Sequence, residues 1–152
     1  MRRMVTTLAA VALMVTFSSG VALAGFEDSI VGTDHTDIFK GTSKAEQISG
    51  LGGDDQINGG GGDDLVVGGK GQDEVADGLG QDTVYGGAGK DNLIGQGGDT
   101  SKDRFIAGSG DDTVQPWDSP AVADVINCGP GTDTVYADEA DIIKDNCERV
   151  RR

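Results

Sequence analysis

The chain has 152 residues, of which 26 are glycine and 3 are proline, and it carries 26 acidic against 12 basic side chains. That length predicts one domain, and 36% hydrophobic with 5% aromatic residues can build only a thin core. The net charge of -14 argues against nucleic acid or an anionic membrane surface as a partner, because phosphate groups would be repelled, and it points to cations instead. Collagen is excluded because glycine does not recur at every third residue.

The first 24 residues are typical of an export signal. Positive charge at residues 2–3 precedes an apolar stretch over 4–17, and the small residues that follow end in an A-x-A pattern at 22–24. A retained membrane anchor is the alternative, but small polar residues at 18–20 interrupt the apolar run. We therefore expect cleavage after Ala24, a secreted mature chain and no membrane insertion of that chain.

After a short lead-in over 25–31, a nine-residue period organises the chain over 32–136. Five consecutive blocks over 50–94 read GLGGDDQIN, GGGGDDLVV, GGKGQDEVA, DGLGQDTVY and GGAGKDNLI, with glycine fourth, aspartate sixth and an aliphatic residue eighth. The sixth positions are Asp37, Glu46, Asp55, Asp64, Asp73, Asp82, Asp91, Asp103, Asp112, Asp124 and Asp133. The eighth positions are Phe39, Ile48, Ile57, Val66, Val75, Val84, Leu93, Phe105, Val114, Ile126 and Val135. A disordered acidic sequence would not keep this spacing, so the pattern predicts an ordered repeat structure.

Each block carries the donor types that calcium prefers. Glycines at the first, second and fourth positions permit a positive φ and can turn carbonyl oxygens inward, and the aspartate adds a short carboxylate. Calcium takes about six to eight oxygen ligands at about 2.3–2.6 Å, whereas magnesium gives up its waters reluctantly. The lone aliphatic residue of each block predicts a thin interior, because neighbouring strand residues face opposite sides.

The pattern G-G-x-G-x-D-x-U-x resembles the hemolysin-type calcium-binding (RTX) nonapeptide repeat, most specifically over 50–94. The resemblance implies an all-β fold, a parallel β-roll (β-solenoid) in which each block contributes a six-residue turn and a three-residue strand. It also implies that calcium ions lie between turns two blocks apart and are shared by the sixth-position acids. Because the chain is acidic and its core is thin, folding is expected to be coupled to the binding of several Ca²⁺ ions.

Turns two blocks apart divide the acids into two ranks. The first rank is Asp37, Asp55, Asp73, Asp91, Asp112 and Asp133, and the second is Glu46, Asp64, Asp82, Asp103 and Asp124. The gaps within the ranks set an upper limit of nine ions, lowered by degenerate ends where His35 and Lys44 replace the fourth glycine. The candidate ligands are Gly53, Asp55, Gly62, Asp64, Gly71, Asp73, Gly80, Asp82, Gly89, Asp91, Asp103, Asp112, Asp124 and Asp133.

Residues 137–152 lose the glycine pattern and are predicted to cap the last coil of the roll. Cys128 and Cys147 are expected to form a disulfide that pins this cap and contributes about 3 kcal/mol, since the loop that it closes is short. A zinc site is the alternative, but two thiols without a nearby histidine do not complete a tetrahedral shell. A frayed terminus is the other alternative for this segment.

No catalytic motif accompanies the repeats, so we expect a non-enzymatic and monomeric calcium-binding protein. The chain lacks H-E-x-x-H, G-x-S-x-G and a P-loop, and His35 is its single histidine. One alternative is a cell-surface adhesion or spacer protein that contacts an extracellular partner through the insertion around Trp117. A roll-based enzyme acting on polysaccharides is a further alternative. Trp117 itself is expected to cover the edge of the roll, and an exposed contact is the other interpretation.

Overall fold

The computed structural model describes residues 28–118, 121–144 and 146–152, and within these ranges the chain is all β without helices. Two parallel sheets of seven strands alternate along the chain, so that two successive strands make one coil of a β-solenoid of about seven coils. One sheet contains β1 (Asp28–Val31), β3 (Glu46–Gly52), β5 (Leu65–Lys70), β7 (Thr83–Ala88), β9 (Arg104–Ser109), β11 (Val125–Asn127) and β13 (Ile142–Ile143). The other contains β2 (Ile38–Lys40), β4 (Gln56–Asn58), β6 (Glu74–Ala76), β8 (Asn92–Ile94), β10 (Thr113–Gln115), β12 (Thr134–Tyr136) and β14 (Arg149–Arg151). The predicted parallel β-roll is confirmed.

The eighth-position residues form one apolar ladder on each sheet. In register they pair Ile48 with Val66 and Val66 with Val84 on one sheet, and Ile57 with Val75 on the other. Every eighth-position residue is buried except Phe39, which packs partly buried against the core. The core therefore consists of little more than one apolar side chain from each block, enclosed between the two sheets, and it is as thin as the composition predicts.

The two twelve-residue gaps lie in turns and leave the sheets in register. Val84 pairs with Phe105 and Leu93 with Val114 although 21 residues separate the members of each pair. The first insertion follows β8 and the second follows β10. Both therefore enlarge the side of the roll that carries the second rank of acids.

The prediction of three-residue strands holds for the even-numbered strands and is wrong for β3, β5, β7 and β9. Those four continue through the first three positions of the following block, and there Leu51 pairs with Gly69 and Gly69 with Gly87. Most residues in this extension are glycines, whose backbones can approach closely because they carry no Cβ.

Both ends of the roll extend the same two sheets. The described part of the lead-in forms β1, which pairs with β3, while β13 and β14 add the last strand to each sheet. The disulfide between Cys128 and Cys147 is present and ties the end of β11 to this last coil. Ile143 packs against the core, whereas Ile142 and Val150 remain 52% and 42% exposed.

The predicted signal peptide over 1–24 lies outside the described residues, as do residues 25–27 of the lead-in. No helix in the described ranges is long and apolar enough to cross a membrane.

Trp117 does not cover the edge of the roll, contrary to the expectation. Its side chain is 55% exposed and lines an open groove of about 550 Å³ together with Tyr136 and Arg151. The Arg151 guanidinium lies 5.5 Å from the centre of the Tyr136 ring. The Trp117 backbone packs closely on the roll beside Gly95, where an added Cβ would lie 2.9 Å from the Trp117 nitrogen.

Leu51 is the one non-glycine residue with a positive φ (73°) among the described residues. Because this conformation strains a residue with a Cβ, Leu51→Gly is expected to stabilise the calcium-loaded roll. The equivalent positions hold Gly69 and Gly87 at φ 125° and 121°. The left-handed region costs an L-residue about 1–2 kcal/mol, and the extra entropy of glycine offsets about 0.5–1 kcal/mol of that gain. Thermal unfolding in saturating calcium would measure the difference. Leu51→Ala is the control, because it loses the same side chain and keeps the strain; a melting temperature of Leu51→Gly no higher than that of Leu51→Ala would contradict the prediction.

Candidate metal sites

The sixth-position acids line the two sides of the roll, each directly before or at the start of a strand. Because the strands are in register, each acid stacks on the acid two blocks away, at about the 4.7–4.9 Å spacing of paired strands. The structure thus brings the predicted residues into the two predicted ranks. All of them except Asp37 are buried, namely Glu46, Asp55, Asp64, Asp73, Asp82, Asp91, Asp103, Asp112, Asp124 and Asp133.

Within each rank, one carboxylate oxygen is held by the coil before it. The Asp55 N–H donates to Asp73 Oδ1 at 2.9 Å, and the Asp73 N–H donates to Asp91 Oδ1 at 2.9 Å. In the second rank the Asp64 N–H donates to Asp82 Oδ1 at 2.7 Å. The same bond recurs along both ranks, so each side chain has a fixed orientation and each backbone N–H is satisfied.

In most of these acids the second carboxylate oxygen is buried and has no hydrogen-bond donor among the described residues. This holds for the Oδ2 atoms of Asp55, Asp64, Asp73, Asp82, Asp91, Asp112 and Asp133. Burying a charged oxygen without a partner is costly, and native proteins normally satisfy such atoms with a donor, a water or an ion. The same unpartnered atom recurs in successive coils of both ranks, and this recurrence is what a row of cation sites requires.

Where the first position of the block is glycine, a carbonyl oxygen of the next coil faces the same space as the carboxylate, as at Asp55, Asp64, Asp73 and Asp91. A Cβ added to Gly68 would lie 2.6 Å from Asp73 Oδ2 and 2.6 Å from the Gly86 carbonyl oxygen. A Cβ added to Gly86 would lie 2.7 Å from Asp91 Oδ2 and in contact with the carbonyl oxygen of Ala107. Absence of a side chain at the first position therefore leaves a cradle of carboxylate and carbonyl oxygens, which is the ligand set that fits calcium.

The fourth-position glycines fix the backbone of the turns. All five candidates have positive φ, between 103° and 138°: Gly53, Gly62, Gly71, Gly80 and Gly89. The Gly53 N–H donates to the Lys70 carbonyl at 2.9 Å, and a Cβ on Gly71 would collide with the Gly53 carbonyl oxygen. No side chain fits at these positions, and the role of their carbonyl oxygens as calcium ligands stays a prediction.

The first acid of each rank differs from those that follow. Thr33 donates its N–H and its hydroxyl to Asp37 Oδ2 at 2.7 and 2.9 Å. Thr42 likewise donates its N–H to Glu46 Oε2 at 2.8 Å and its hydroxyl to Oε1. Threonine therefore occupies Oδ2 of Asp37 and both carboxylate oxygens of Glu46, consistent with the degenerate pattern of the first two blocks.

Burial raises the pKa of the acids within the ranks, and neighbouring carboxylates add to the effect while the backbone N–H of the previous coil opposes it. The pKa rises to about 6 for Asp64 and Asp103, about 7 for Asp91 and Asp124, and about 8 for Asp82. It is also raised for Asp55, Asp73, Asp112 and Asp133. Without a cation, ionisation of these acids is therefore less favourable than in water, and a cation would compensate the same negative charge.

Both ranks continue beyond the acids that the block pattern identifies. Asp141 Oδ1 accepts the Asp124 N–H at 3.2 Å, and Glu148 Oε2 accepts the Asp133 N–H at 3.0 Å. The signal was present in the sequence, because each is an acid two residues before an apolar residue, Ile143 and Val150. The loss of the glycines concealed it.

The block pattern also passes over an acid inside the second rank, Asp77. Carboxylate oxygens of Asp77, Asp82 and Asp103 lie within 4.8 Å of one another, and all three side chains are buried. Burial, together with the charges of Asp103 and Asp82, raises the pKa of Asp77 to about 8 against the effect of two backbone N–H donors. The structure therefore adds a third carboxylate to the gap between Asp82 and Asp103.

Comparison with protein families agrees with this geometry. The model of the RTX calcium-binding nonapeptide repeat (4 copies) matches residues 40–75, 67–101 and 97–115. These overlapping matches span 40–115, which is half of the chain. No curated protein and no solved structure matches the chain.

Proposed function

The chain belongs to the RTX calcium-binding nonapeptide repeat family, and we propose that it is a secreted protein that folds into its β-roll as it binds several Ca²⁺ ions. The observation that carries this proposal is the row of buried, unpartnered Oδ2 atoms that face carbonyl oxygens of the next coil. A bound cation would offset the cost of burying each such atom in its ionised form.

Charge and core size explain why folding would require the ions. Removal of the predicted signal peptide leaves 10 basic side chains against 26 acidic ones, and most of the sixth-position acids stack directly on one another. A core of one aliphatic residue per block buries little surface to overcome that repulsion. The free energy of calcium binding would therefore supply much of the free energy of folding.

Export and folding fit together in this proposal. A disulfide between Cys128 and Cys147 suits an oxidising compartment outside the cytoplasm, and RTX repeat proteins are typically extracellular. The chain would then stay unfolded before export and fold where calcium is abundant. It would act as a monomer without enzymatic activity.

The leading acids reduce the expected number of ions. With Oδ2 of Asp37 and both oxygens of Glu46 occupied by threonine, the sixth-position acids leave four gaps in the first rank, from Asp55 to Asp133, and three in the second, from Asp64 to Asp124. We therefore propose about seven Ca²⁺ ions between the sixth-position acids, below the limit of nine set by the block count; the gaps that end at Asp141 and Glu148 are not part of this number.

A role as a surface spacer that binds a partner is the second candidate. The exposed Trp117 in its groove with Tyr136 favours it, because large aromatic residues are typical interface anchors. A pull-down from extracellular extract that is lost on deletion of 116–123 would support it. An enzymatic role has no comparable support, since His35 is exposed and lies on a turn at the end of the roll.

Far-ultraviolet circular dichroism of residues 25–152 during a calcium titration tests the main proposal, with magnesium as the control ion. We expect a coil-like spectrum in calcium-free buffer and a cooperative change to β structure with calcium alone. A spectrum that is already β in calcium-free buffer and indifferent to calcium would overturn the coupling between folding and binding.

A further inference from the structure

Asp77 stands where its stacking neighbours in the roll have glycine. The first positions of the two preceding coils on this side are Gly41 and Gly59, and a Cβ on Gly59 would collide with the Asp77 carbonyl oxygen. Asp77 nevertheless carries a full side chain, which is 0% exposed. A buried carboxylate at this position needs both room and a compensating charge.

The coil stacked on Asp77 contains the first insertion. The Gln96 N–H of that insertion donates to Asp77 Oδ1 at 2.9 Å, and the Gly78 N–H donates to the same oxygen at 2.5 Å. Asp77 Oδ2 has no hydrogen-bond donor in the part of the chain that the structure describes. The widened turn therefore holds the carboxylate in one orientation and leaves its second oxygen free.

Asp99, in the same insertion, has a different role. Its Oδ2 accepts a hydrogen bond from the Gly80 N–H at 2.9 Å. One coil earlier, the equivalent Gly62 N–H donates to a backbone oxygen instead, the carbonyl of Leu79. Its Oδ1 accepts the N–H groups of Thr100 and Ser101 at 2.6 and 3.0 Å. Both oxygens of Asp99 are satisfied by the backbone, so it serves the turn rather than a cation.

We propose that Asp77, Asp82 and Asp103 bind one Ca²⁺ ion with three carboxylates, and that this ion is held more tightly than those in the two-carboxylate gaps. The inference rests on the proposed function and assigns a distinct role to one gap of the second rank. Asp82 Oδ2, like Asp77 Oδ2, is buried without a donor, and the three carboxylates lie within 4.8 Å of one another.

The separation and charge of these oxygens suit calcium. Ligands on opposite sides of Ca²⁺ are about 4.6–5.2 Å apart, whereas those of Mg²⁺ are about 4.0–4.2 Å apart and must be arranged as a near-ideal octahedron. Separations of up to 4.8 Å can be spanned by calcium without movement of the roll. A third negative charge also strengthens the attraction for the ion, since affinity in calcium sites rises with the number of charged ligands.

Release of calcium from the loaded protein tests the proposal. Wild-type protein saturated with calcium is mixed with excess fluorescent chelator in a stopped-flow instrument, and we expect one ion per chain to leave more slowly than the rest. Asp77→Asn keeps an oxygen that can accept the bonds from Gly78 and Gln96 but removes the charge, and should accelerate that slowest phase by about ten-fold or more. Asp77→Gly, which restores the glycine of the repeat, should do the same.

Asp63→Asn is the matched control on the same side of the roll. Asp63 is exposed and accepts the Gln81 N–H at 2.9 Å, so its amide variant also loses one charge and keeps one backbone bond. We expect its slowest phase to stay within about two-fold of the wild type, because exposed charges are screened. Circular dichroism in saturating calcium establishes that all variants are folded.

Two outcomes would overturn the three-carboxylate site. The slowest phase is unchanged in Asp77→Asn, which would make Asp77 a structural residue if Asp77→Gly alone loses that phase, or it is lost equally in Asp63→Asn. A wild-type chain that takes up no calcium at all would instead refute the proposed function. The two failures are therefore distinguishable.

Discussion

Asp73→Asn is expected to raise the calcium concentration at the midpoint of folding by about ten-fold or more. Asp73 lies between two gaps of the first rank, and its unpartnered Oδ2 is buried next to the Gly86 carbonyl oxygen. In the variant the amide oxygen can still accept the Asp55 N–H, but an NH₂ group replaces a carboxylate oxygen. Two neighbouring sites would lose a negative ligand at once, and a calcium titration followed by circular dichroism measures the effect.

Asp54→Asn is the matched control for this substitution. Asp54 is the neighbouring fifth-position residue of the preceding coil and accepts the Gln72 N–H at 2.8 Å, but its side chain is exposed. The charge change and the retained hydrogen bond are therefore the same, and only the burial and the free oxygen differ. We expect its midpoint to stay within about two-fold of the wild type, as is usual for exposed charges. Equal shifts in the two variants would show that net charge, not ligation, controls folding.

Without calcium, Asp73→Asn should favour folding instead of hindering it. Burial, opposed by the Asp55 N–H and reinforced by the charges of Asp55 and Asp54, raises the pKa of Asp73, so its ionised form disfavours the calcium-free roll. A neutral amide removes that cost, and Asp73→Asn should show at least as much β structure as the wild type in calcium-free buffer. A substitution that merely damaged packing would lower folding under both conditions.

The repeat pattern was sufficient to predict the architecture and the two ranks. An apolar residue at every eighth position fixes which side chain enters the core, and an acid two residues earlier must then lie at the same edge of every coil. Val66 and Asp64 illustrate this, since both are buried in the positions that their block assigns. Regular spacing predicts regular stacking because each coil repeats the backbone of the one before it.

What the pattern did not predict are the features that break it. The degenerate glycines already set Asp37 apart from the candidate ligands, but only the structure shows that Thr33, four residues earlier, donates two hydrogen bonds to its Oδ2. In the sequence, Asp77 is simply a position where the repeat lacks its glycine. In the structure, the Gln96 N–H, in the turn after β8, donates a hydrogen bond to its carboxylate. Such contacts join residues from different coils whose spacing carries no period, so only the folded chain places them together.

Acid is expected to substitute for calcium. In calcium-free buffer, lowering the pH from about 8 to about 5 should increase the β structure of residues 25–152, because the folded pKa values of Asp82, Asp91 and Asp124 are raised to about 8, 7 and 7 from the ordinary 3.8. A raised folded pKa means that folding takes up protons. The stabilisation is therefore fully present below about pH 3.8 and is lost as the pH rises through 7 to 8. Circular dichroism in buffers cleared of calcium by resin measures it.

The double variant Asp82→Asn/Asp91→Asn separates this mechanism from a general loss of charge repulsion. Neither amide titrates, so the pH dependence of folding should become shallower, while Asp54→Asn should keep the wild-type profile. Protons and calcium compete for the same oxygens, and the calcium midpoint of the wild type should therefore rise as the pH falls below about 6. A calcium-free chain whose β structure grows towards pH 8 would contradict the assignment of buried, unpaired carboxylates, because ionisation would then favour the roll instead of opposing it.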